Sequence, residues 1–253
     1  MTTTCSNNVN APRIAYATIC GERHRSRHER NQDAAAVCIG NGYTVMCVAD
    51  GVGSQRFARR GSHAVVKAVV ATFIDFVKGK IGKKQITQTV FARYKSALKE
   101  KYRAAAGTTC LFVAITDEHG LFLGQMGDGL CLLQINGEPV FVSDKGEEFL
   151  NEVNALSAEA DNATWRTKHY NIAQEDSIEV LLTTDGISSD IIPNKEPECL
   201  EYFLDKVHSK RGVAANRRLK RCLKNWGKTE SSDDKTVVIY ERKATNGELH
   251  SQG

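Results

Sequence analysis

The chain has 253 residues, of which 41% are hydrophobic and 25% charged, with a formal net charge of +4. This composition is that of a water-soluble globular protein, and the length suffices for one sizeable core or two small ones. Only four prolines occur, without repeats or low-complexity tracts, which indicates one domain over residues 13–241. We expect a flexible N-terminus at 1–12 and a disordered polar tail at 242–253.

The excess positive charge is concentrated in residues 206–228, which carry nine lysines and arginines. A basic helical face is usually just solvated. This segment lacks the interleaved aromatic residues and the motifs of a nucleic-acid groove, so we regard nucleic-acid binding as the minor alternative.

No segment has the pattern of an export signal or a membrane span. Residues 1–12 are polar, and the longest apolar stretch, 64–77, is interrupted by Lys67 and Asp75. The eight cysteines include no C-x-x-C pair, and several lie in apolar runs. They are typical of buried thiols in a reducing compartment, which predicts a cytoplasmic protein.

Apolar patterning in the first half of the chain predicts three strands followed by two helices. The basic segment between the first two strands is expected to form a loop, and Asn41-Gly42 is a tight hairpin signal. The predicted strands are 13–20, 34–39 and 43–49, the loop is 21–30, and the helices are 56–77 and 86–102.

In the second half, short turns separate consecutive strands and favour antiparallel pairing. Two helices and a last strand follow. The predicted strands are 108–116, 121–126, 130–135, 140–142, 177–184 and 236–240, and the helices are 197–210 and 213–226. Residues 143–175 are polar, weakly periodic and too long for an idle connection, which predicts a functional flap.

Four aspartates lie where predicted strands end, begin or break: Asp50, Asp128, Asp185 and Asp233. Taken alone, an Asp-Gly pair is usually an ordinary turn. However, Asp50 and Asp185 follow buried strands in matching contexts, V-A-D-G and T-T-D-G. A carboxylate at the mouth of a buried strand is costly without a cation, and the Gly51 carbonyl can approach a ligand closely. The set predicts carboxylates that converge at one end of a sheet core.

Oxygen-only ligands select Mg²⁺ or Mn²⁺ over zinc or copper. Two such ions about 3.5–4 Å apart, bridged by a carboxylate, form the two-metal arrangement for phosphoryl hydrolysis. His24 and His28 have the spacing of two ligands on one helix. No third ligand accompanies them in sequence and arginines surround them, so we do not expect zinc there.

Six short motifs occur in an order that resembles the metal-dependent type 2C (PPM) serine/threonine protein phosphatases: NQD, VADGVGS, GTT, GDG, TTDG and DDKTVVI. Each motif is weak, but the ordered set is specific and runs from about residue 13 to 240. The GxxH…NQD opening and DGVGS resemble a short bacterial branch. The resemblance implies an α+β fold, a four-layer α-β-β-α sandwich of two antiparallel sheets packed face to face with helices outside each.

The resemblance also implies roles for single residues. The implied metal ligands are Asp50, Gly51, Asp128, Asp185 and Asp233, and the implied catalytic set is Asp33, Asp50, Asp185 and Asp233. Asp50 would bridge two ions, with the Gly51 carbonyl on one of them. Asp128 would hold a third ion together with Asp185, as in bacterial members. Asp33 would hold a metal-bound water.

Several positions depart from the family pattern, namely Gln32, Val52, Ser54 and His28. Gln32 replaces the Glu of many members, and Val52 replaces the His that many eukaryotic members have. His28 stands where the phosphate-binding Arg is usual. Beside His28, Arg30 is the first candidate to bind the phosphate in its place, and Arg27 is the second. Otherwise phosphate would be held mainly by the metals.

The implied activity is hydrolysis of phosphoserine and phosphothreonine by in-line attack of a water that bridges two Mg²⁺ or Mn²⁺ ions, without a covalent intermediate. The implied partners are phosphorylated protein substrates and a cognate serine/threonine kinase, and we expect a monomer. Two alternatives stay open. The Gln32 and His28 departures motivate a catalytically weak regulatory binding module, and the substrates could instead be small phosphoesters.

Overall fold

A computed structural model describes residues 11–143, 155–159, 164–226 and 231–244. Of the termini predicted to be flexible, 1–12 and 242–253, residues 1–10 and 245–253 lie outside these ranges, whereas Arg242 is the last residue of a strand. Within the ranges there are ten strands: β1 (Arg13–Ile19), β2 (Ala34–Gly40), β3 (Tyr43–Ala49), β4 (Cys110–Thr116), β5 (Gly120–Met126), β6 (Leu130–Ile135), β7 (Glu138–Val142), β8 (Arg166–Tyr170), β9 (Ile178–Thr183) and β10 (Lys235–Arg242).

The same ranges contain four long helices and three short ones. They are α1 (Glu22–Ser26), α2 (Ala58–Val77), α3 (Ile86–Ala97), α4 (Glu100–Arg103), α5 (Asp185–Ser188), α6 (Glu196–Val207) and α7 (Gly212–Asn225). In α2 the buried positions recur every three or four residues, as in Val65, Val69, Phe73 and Phe76. This spacing places them on one face, which packs against a sheet.

The strands form two five-stranded sheets in which every pair is antiparallel. The first sheet has the order β1-β10-β9-β6-β7, and the second sheet has the order β2-β3-β4-β5-β8. Helices α2 and α3 cover the second sheet, while α6 and α7 cover the first. The predicted α-β-β-α sandwich is therefore confirmed.

Three apolar layers hold the sandwich together. The layer between the sheets contains Met46, Val113, Leu182 and Val238, all fully or almost fully buried. The second layer, around Phe73, lies between the second sheet and helices α2 and α3. The third layer lies between the first sheet and helices α6 and α7. Since the strands bury side chains on both faces, they read as continuous apolar runs in the sequence.

One predicted pairing is wrong. Short turns favoured antiparallel pairing of β5 with β6, but β5 lies in the second sheet and β6 in the first. The three residues 127–129 carry the chain from one sheet to the other, so they do not form a hairpin. Gly127 has a φ of +95°, a backbone conformation that side-chain-bearing residues rarely adopt, and it permits the abrupt change of direction.

Three other segments differ from their predictions. Residues 21–30, predicted as a loop, contain the short helix α1. The helix predicted over 86–102 stops at Ala97, because Leu98 is extended, and a separate turn forms α4. The 143–175 segment contains the edge strand β8. Its sequence, RTKHY, is too polar to show the apolar pattern of a strand. Of the functional flap predicted over 143–175, residues 144–154 and 160–163 lie outside the described residues, and its function stays a prediction.

The described cysteines and helices bear on two further expectations. All seven cysteines in the described ranges are free thiols, and five of them are buried. None of the helices described here is both long enough and apolar enough to cross a bilayer.

Candidate active site

Strand register brings two of the predicted aspartates together at one end of the second sheet. Ala34 pairs with Ala49 across β2 and β3. Asp33 immediately precedes the first of these residues, and Asp50 immediately follows the second. The antiparallel pairing therefore places the two carboxylates at the same end of the sheet, although 17 positions separate them in sequence.

The first sheet contributes the other three aspartates. Thr183, at the end of β9, pairs with Leu130 at the start of β6 and with Val237 near the start of β10. The three segments that meet there carry Asp185, Asp128 and Asp233. Because the two sheets pack face to face, these carboxylates and Asp50 line one open cleft of about 340 Å³.

Asp33 lies beneath this cleft and is only 2% exposed. Its Oδ2 accepts a hydrogen bond of 2.7 Å from Thr184 Oγ1, and Thr184 in turn accepts one from the Thr236 amide. Its Oδ1 is buried and has no partner among the described residues. Asp33 is thus fixed from below, with one acceptor oxygen left for a ligand or water.

The backbone of Asp50 is held by two threonines of the GTT motif. The Asp50 carbonyl accepts hydrogen bonds from the Thr108 hydroxyl at 2.8 Å and from the Thr109 amide at 2.7 Å, and its amide donates to the Thr109 hydroxyl. These bonds use the main chain only. The Asp50 side chain therefore stays available to the cleft, beside the buried Gly51.

Burial and mutual repulsion raise the pKa values of three carboxyls. Burial raises the pKa of Asp33 to about 7. Burial, followed by the charges of Asp33 and Asp185, raises the pKa of Asp50 to about 11. Burial, followed by the charges of Asp128 and Asp233, raises the pKa of Asp185 to about 6. The protein itself supplies too little positive charge to offset these buried carboxylates. A bound cation would supply that charge and lower their pKa values.

The donor set fits hard divalent cations. Asp185 Oδ1, like Asp33 Oδ1, is buried without a hydrogen-bond partner in the described part of the chain. Buried polar atoms are normally paired, so unpaired carboxylate oxygens in a cleft point to a ligand. Carboxylates and a backbone carbonyl are the oxygens that Mg²⁺ and Mn²⁺ take.

Arg23 and Arg27 are the two arginines among the described residues that line the cleft. Arg23 Nη2 donates to Asp233 Oδ2 at 2.5 Å and lies over Gly53 of the DGVG turn. Arg30 and His28, the other predicted phosphate-binding residues, are exposed and are not part of this lining. His28 has a φ of +56° just beyond α1, so its side chain does not continue the helix face of His24.

Close packing of α1 against the start of β10 places Arg23 and His24 at the site. A Cβ on Gly21 would lie 2.2 Å from the Asp233 backbone, so only glycine fits there. The Gly21 amide donates to Asp234 Oδ1 at 2.7 Å, and the Arg23 amide donates to the Ser232 carbonyl. The Gly of the GxxH signal was the available clue to this contact.

Asp128 is exposed at the rim of the cleft, on the segment that crosses between the sheets. Asp185 lines the same cleft, and after burial the charge of Asp128 is the next cause that raises the pKa of Asp185. A larger depression of about 600 Å³ lies beside Phe76 and His119, at the β4–β5 turn. Its acidic residues are the adjacent Asp117 and Glu118, so it lacks a comparable gathering of carboxylates.

Sequence reasoning missed four contributors to the site. Thr108 and Thr109 belong to a recognised motif, but their bonds to Asp50 depend on the pairing of β3 with β4. Thr184 likewise belongs to the TTDG motif, but its bond to Asp33 depends on how the two sheets pack. Arg23 carries no sequence signal that separates it from other arginines. Each acts through a contact with a residue at least 58 positions away.

An α-β-β-α sandwich that gathers carboxylates at one end of its paired sheets is the type of fold and site that the motifs predicted for a phosphatase. The sequence model of the family described as Protein phosphatase 2C matches residues 20–224. The chain therefore belongs to the protein phosphatase 2C family, as its motifs predicted. No curated protein matches the chain in sequence at a significant level.

Solved structures share the fold at low sequence identity. The PPM Ser-Thr phosphatase MsPP from Mycobacterium smegmatis, in complex with cacodylate, is 20% identical, with a TM-score of 0.63 over 90% of this chain and 97% of that one. The serine/threonine phosphatase of S. agalactiae is 16% identical, with a TM-score of 0.61 over 91% and 99%. RsbX in complex with magnesium is 16% identical, with a TM-score of 0.56 over 91% and 94%.

Proposed function

We propose that this chain is a Mg²⁺- or Mn²⁺-dependent serine/threonine protein phosphatase that hydrolyses phosphoserine and phosphothreonine. The observation that carries the proposal is the cleft itself, where Asp50, Asp128, Asp185 and Asp233 converge under Arg23. Membership of the protein phosphatase 2C family supports the same reaction. Among the structural neighbours, two are serine/threonine phosphatases and one was crystallised with magnesium.

The proposed metal ligands are the Asp50 carboxylate, the Gly51 carbonyl, Asp185 and Asp233, for two ions. Asp128, with Asp185, would hold a third ion. When bound, these ions would supply positive charge for the phosphate oxygens and would lower the pKa of water. The carboxylates of this chain would then be ionised at neutral pH, because the cations offset their repulsion.

Asp33 is proposed to orient the attacking water. Its Oδ1 is buried and unpartnered, and its Oδ2 is fixed by Thr184. A carboxylate held on one side in this way can accept a hydrogen bond from water on the other and keep its lone pair directed at the substrate.

Arg23 is proposed to bind the substrate phosphate. Its side chain is 42% exposed at the cleft and lies over the turn that follows Asp50. Arg can grip phosphate with two parallel hydrogen bonds. Arg27 also lines the cleft and would assist, whereas Arg30, favoured from the sequence because His28 takes the usual position of the phosphate-binding Arg, lies outside the lining. Arg23 also pairs with Asp233, and substrate would compete for it.

The remaining sequence expectations join the proposal. The substrates would be phosphorylated proteins, supplied by a serine/threonine kinase, and the chain would act as a cytoplasmic monomer of bacterial type. The rival function is a regulatory phosphopeptide-binding module, which the Gln32 and His28 departures favour. Gln32 Oε1 is itself buried without a partner among the described residues.

One experiment separates these functions. The purified chain is assayed on a phosphothreonine peptide and on p-nitrophenyl phosphate, with Mn²⁺ and with EDTA, beside Asp50→Asn. We expect peptide hydrolysis that requires Mn²⁺ and is lost in Asp50→Asn. Full activity in EDTA would contradict the proposed metal-dependent mechanism. Hydrolysis of the small ester alone would indicate a small-molecule phosphatase, and peptide binding without turnover would indicate the regulatory module.

A further inference from the structure

The His24 imidazole lies against the acidic site from the α1 side. It is only 3% exposed, and its Nδ1 has no hydrogen-bond partner among the described residues. This atom lies 2.9 Å from Asp234 Oδ2 and 3.9 Å from Asp233 Oδ1. The short approach to Asp234 lacks the alignment of a hydrogen bond. A buried ring nitrogen that faces two carboxylates without an aligned hydrogen bond calls for another partner.

A metal ion fits between these three side chains. Donor atoms of His24, Asp233 and Asp234 all lie within 4.8 Å of one another. Nitrogen and oxygen ligands bound at about 2.0–2.2 Å from one ion are separated by roughly 3–4 Å. The observed separations from Nδ1 fall close to that range. Arg23 occupies the other oxygen of Asp233, Oδ2, and leaves Oδ1 toward His24.

The surroundings of the three side chains match those of metal ligands. Asp234 is 1% exposed and accepts hydrogen bonds from the Gly21 amide at 2.7 Å and the Gln32 amide at 2.6 Å. Nε2 of His24 lies 3.7 Å from Glu29 Oε2. Ligating carboxylates are usually hydrogen-bonded, and a ligating histidine usually directs its second nitrogen to a carboxylate.

We propose that His24 Nδ1 is a nitrogen ligand of a divalent ion shared with Asp233 and Asp234, and that it biases this position toward a transition ion such as Mn²⁺ over Mg²⁺. The reason is that imidazole binds first-row transition ions well, whereas Mg²⁺ takes oxygen ligands and keeps its waters. The inference rests on the proposed function for Asp233, and adds His24 and Asp234 to the ligands of that ion.

Pulsed electron paramagnetic resonance on the full chain loaded with Mn²⁺ tests the nitrogen ligand directly. We expect nitrogen coupling in the Mn²⁺ echo signal that changes when the histidines carry ¹⁵N. His24→Gln, or His24→Asn as a second variant, should lose this coupling, with melting followed by circular dichroism to verify folding. His208→Gln should keep it, because His208 is exposed beyond α6.

Calorimetry gives the selectivity. In His24→Gln the affinity for Mn²⁺ should fall by about 10-fold or more, while the affinity for Mg²⁺ changes little. Loss of a residue that only hydrogen-bonds to a metal ligand already costs about 10-fold in metal affinity, so loss of the ligand itself should cost at least as much. Bound Mn²⁺ without nitrogen coupling in the wild type would overturn this inference and leave the proposed phosphatase intact. Failure to bind Mn²⁺ at all would overturn both.

Discussion

Thr184 Oγ1 donates a hydrogen bond of 2.7 Å to Asp33 Oδ2, joining residues 151 positions apart. Thr184 follows β9 of the first sheet, and Asp33 precedes β2 of the second. The bond therefore ties the two sheets together at the end that carries the acidic cleft. It also fixes the carboxylate that we assign to the attacking water.

Removing this hydroxyl should destabilise the protein. Thr184→Val leaves Asp33 Oδ2 and the Thr236 amide without their buried partner, which costs about 1–3 kcal/mol in the free energy of unfolding. Urea denaturation of the metal-free protein measures this loss. Thr184→Ser keeps the hydroxyl and should stay within about 1 kcal/mol of wild type. Equal stability of the two variants would contradict the importance of the bond.

Without metal, the protein should lose stability as the pH rises from about 4 to 7. In the unfolded chain aspartates ionise near pH 4. In the folded chain Asp185 and Asp33 keep their protons to about pH 6 and 7, and Asp50 to about pH 11. The folded state then binds more protons than the unfolded state, so the free energy of unfolding falls with increasing pH.

Melting temperatures in EDTA between pH 4.5 and 8 measure this effect. Saturating Mn²⁺ should reduce the slope, because the carboxylates are then ionised in both states. In EDTA at pH 7, Asp50→Asn should melt higher than wild type, because Asn does not have to take up a proton on folding; the increase should be about 2–4 °C for each kcal/mol of this cost that is removed. A lower melting temperature for this variant would show that Asp50 stabilises the metal-free fold.

Arg23→Ala should raise KM for a phosphothreonine peptide by about 10-fold or more, the size expected for a lost charge-assisted pair. Mn²⁺ affinity should stay equal or increase, because Arg23 no longer pairs with Asp233. Arg25→Ala is the matched control, since Arg25 lies on the same helix and pairs with Glu22. A larger KM effect in Arg30→Ala than in Arg23→Ala would favour the sequence-based assignment.

Asp128→Ala should lower kcat by about 10²–10⁴-fold, the range for losing acid–base assistance. We expect this because the third ion assigned to Asp128 would act in turnover and not in folding. Asp128 is exposed, so the variant should melt like wild type and still bind two ions by calorimetry. Asp117→Ala, at the other end of β5, serves as the control. An unchanged kcat would make Asp128 a structural residue of the crossing segment.

The sequence alone determined the fold class and most of the acidic site. Strands and long helices follow local apolar periodicity, because burial of one or both faces leaves a regular pattern along the chain. The aspartates were recognisable because each adjoins a buried strand within a short motif. These features depend on neighbours in sequence, and Asp33, Asp50, Asp185 and Asp233 all carried such a signal.

Only the tertiary structure decided which side chains surround those aspartates. Arg23 contacts Asp233 across 210 positions, and Arg30, which the sequence favoured as the substitute for His28, does not line the cleft. The fold places His24 beside Asp233 and Asp234, a contact that no local sequence pattern predicts. Contacts of this kind depend on how the two sheets pack. They also depend on the close approach of Gly21 to the Asp233 backbone, where an added Cβ would lie only 2.2 Å away. Packing at that scale sums over the whole core, so no short window of sequence encodes it.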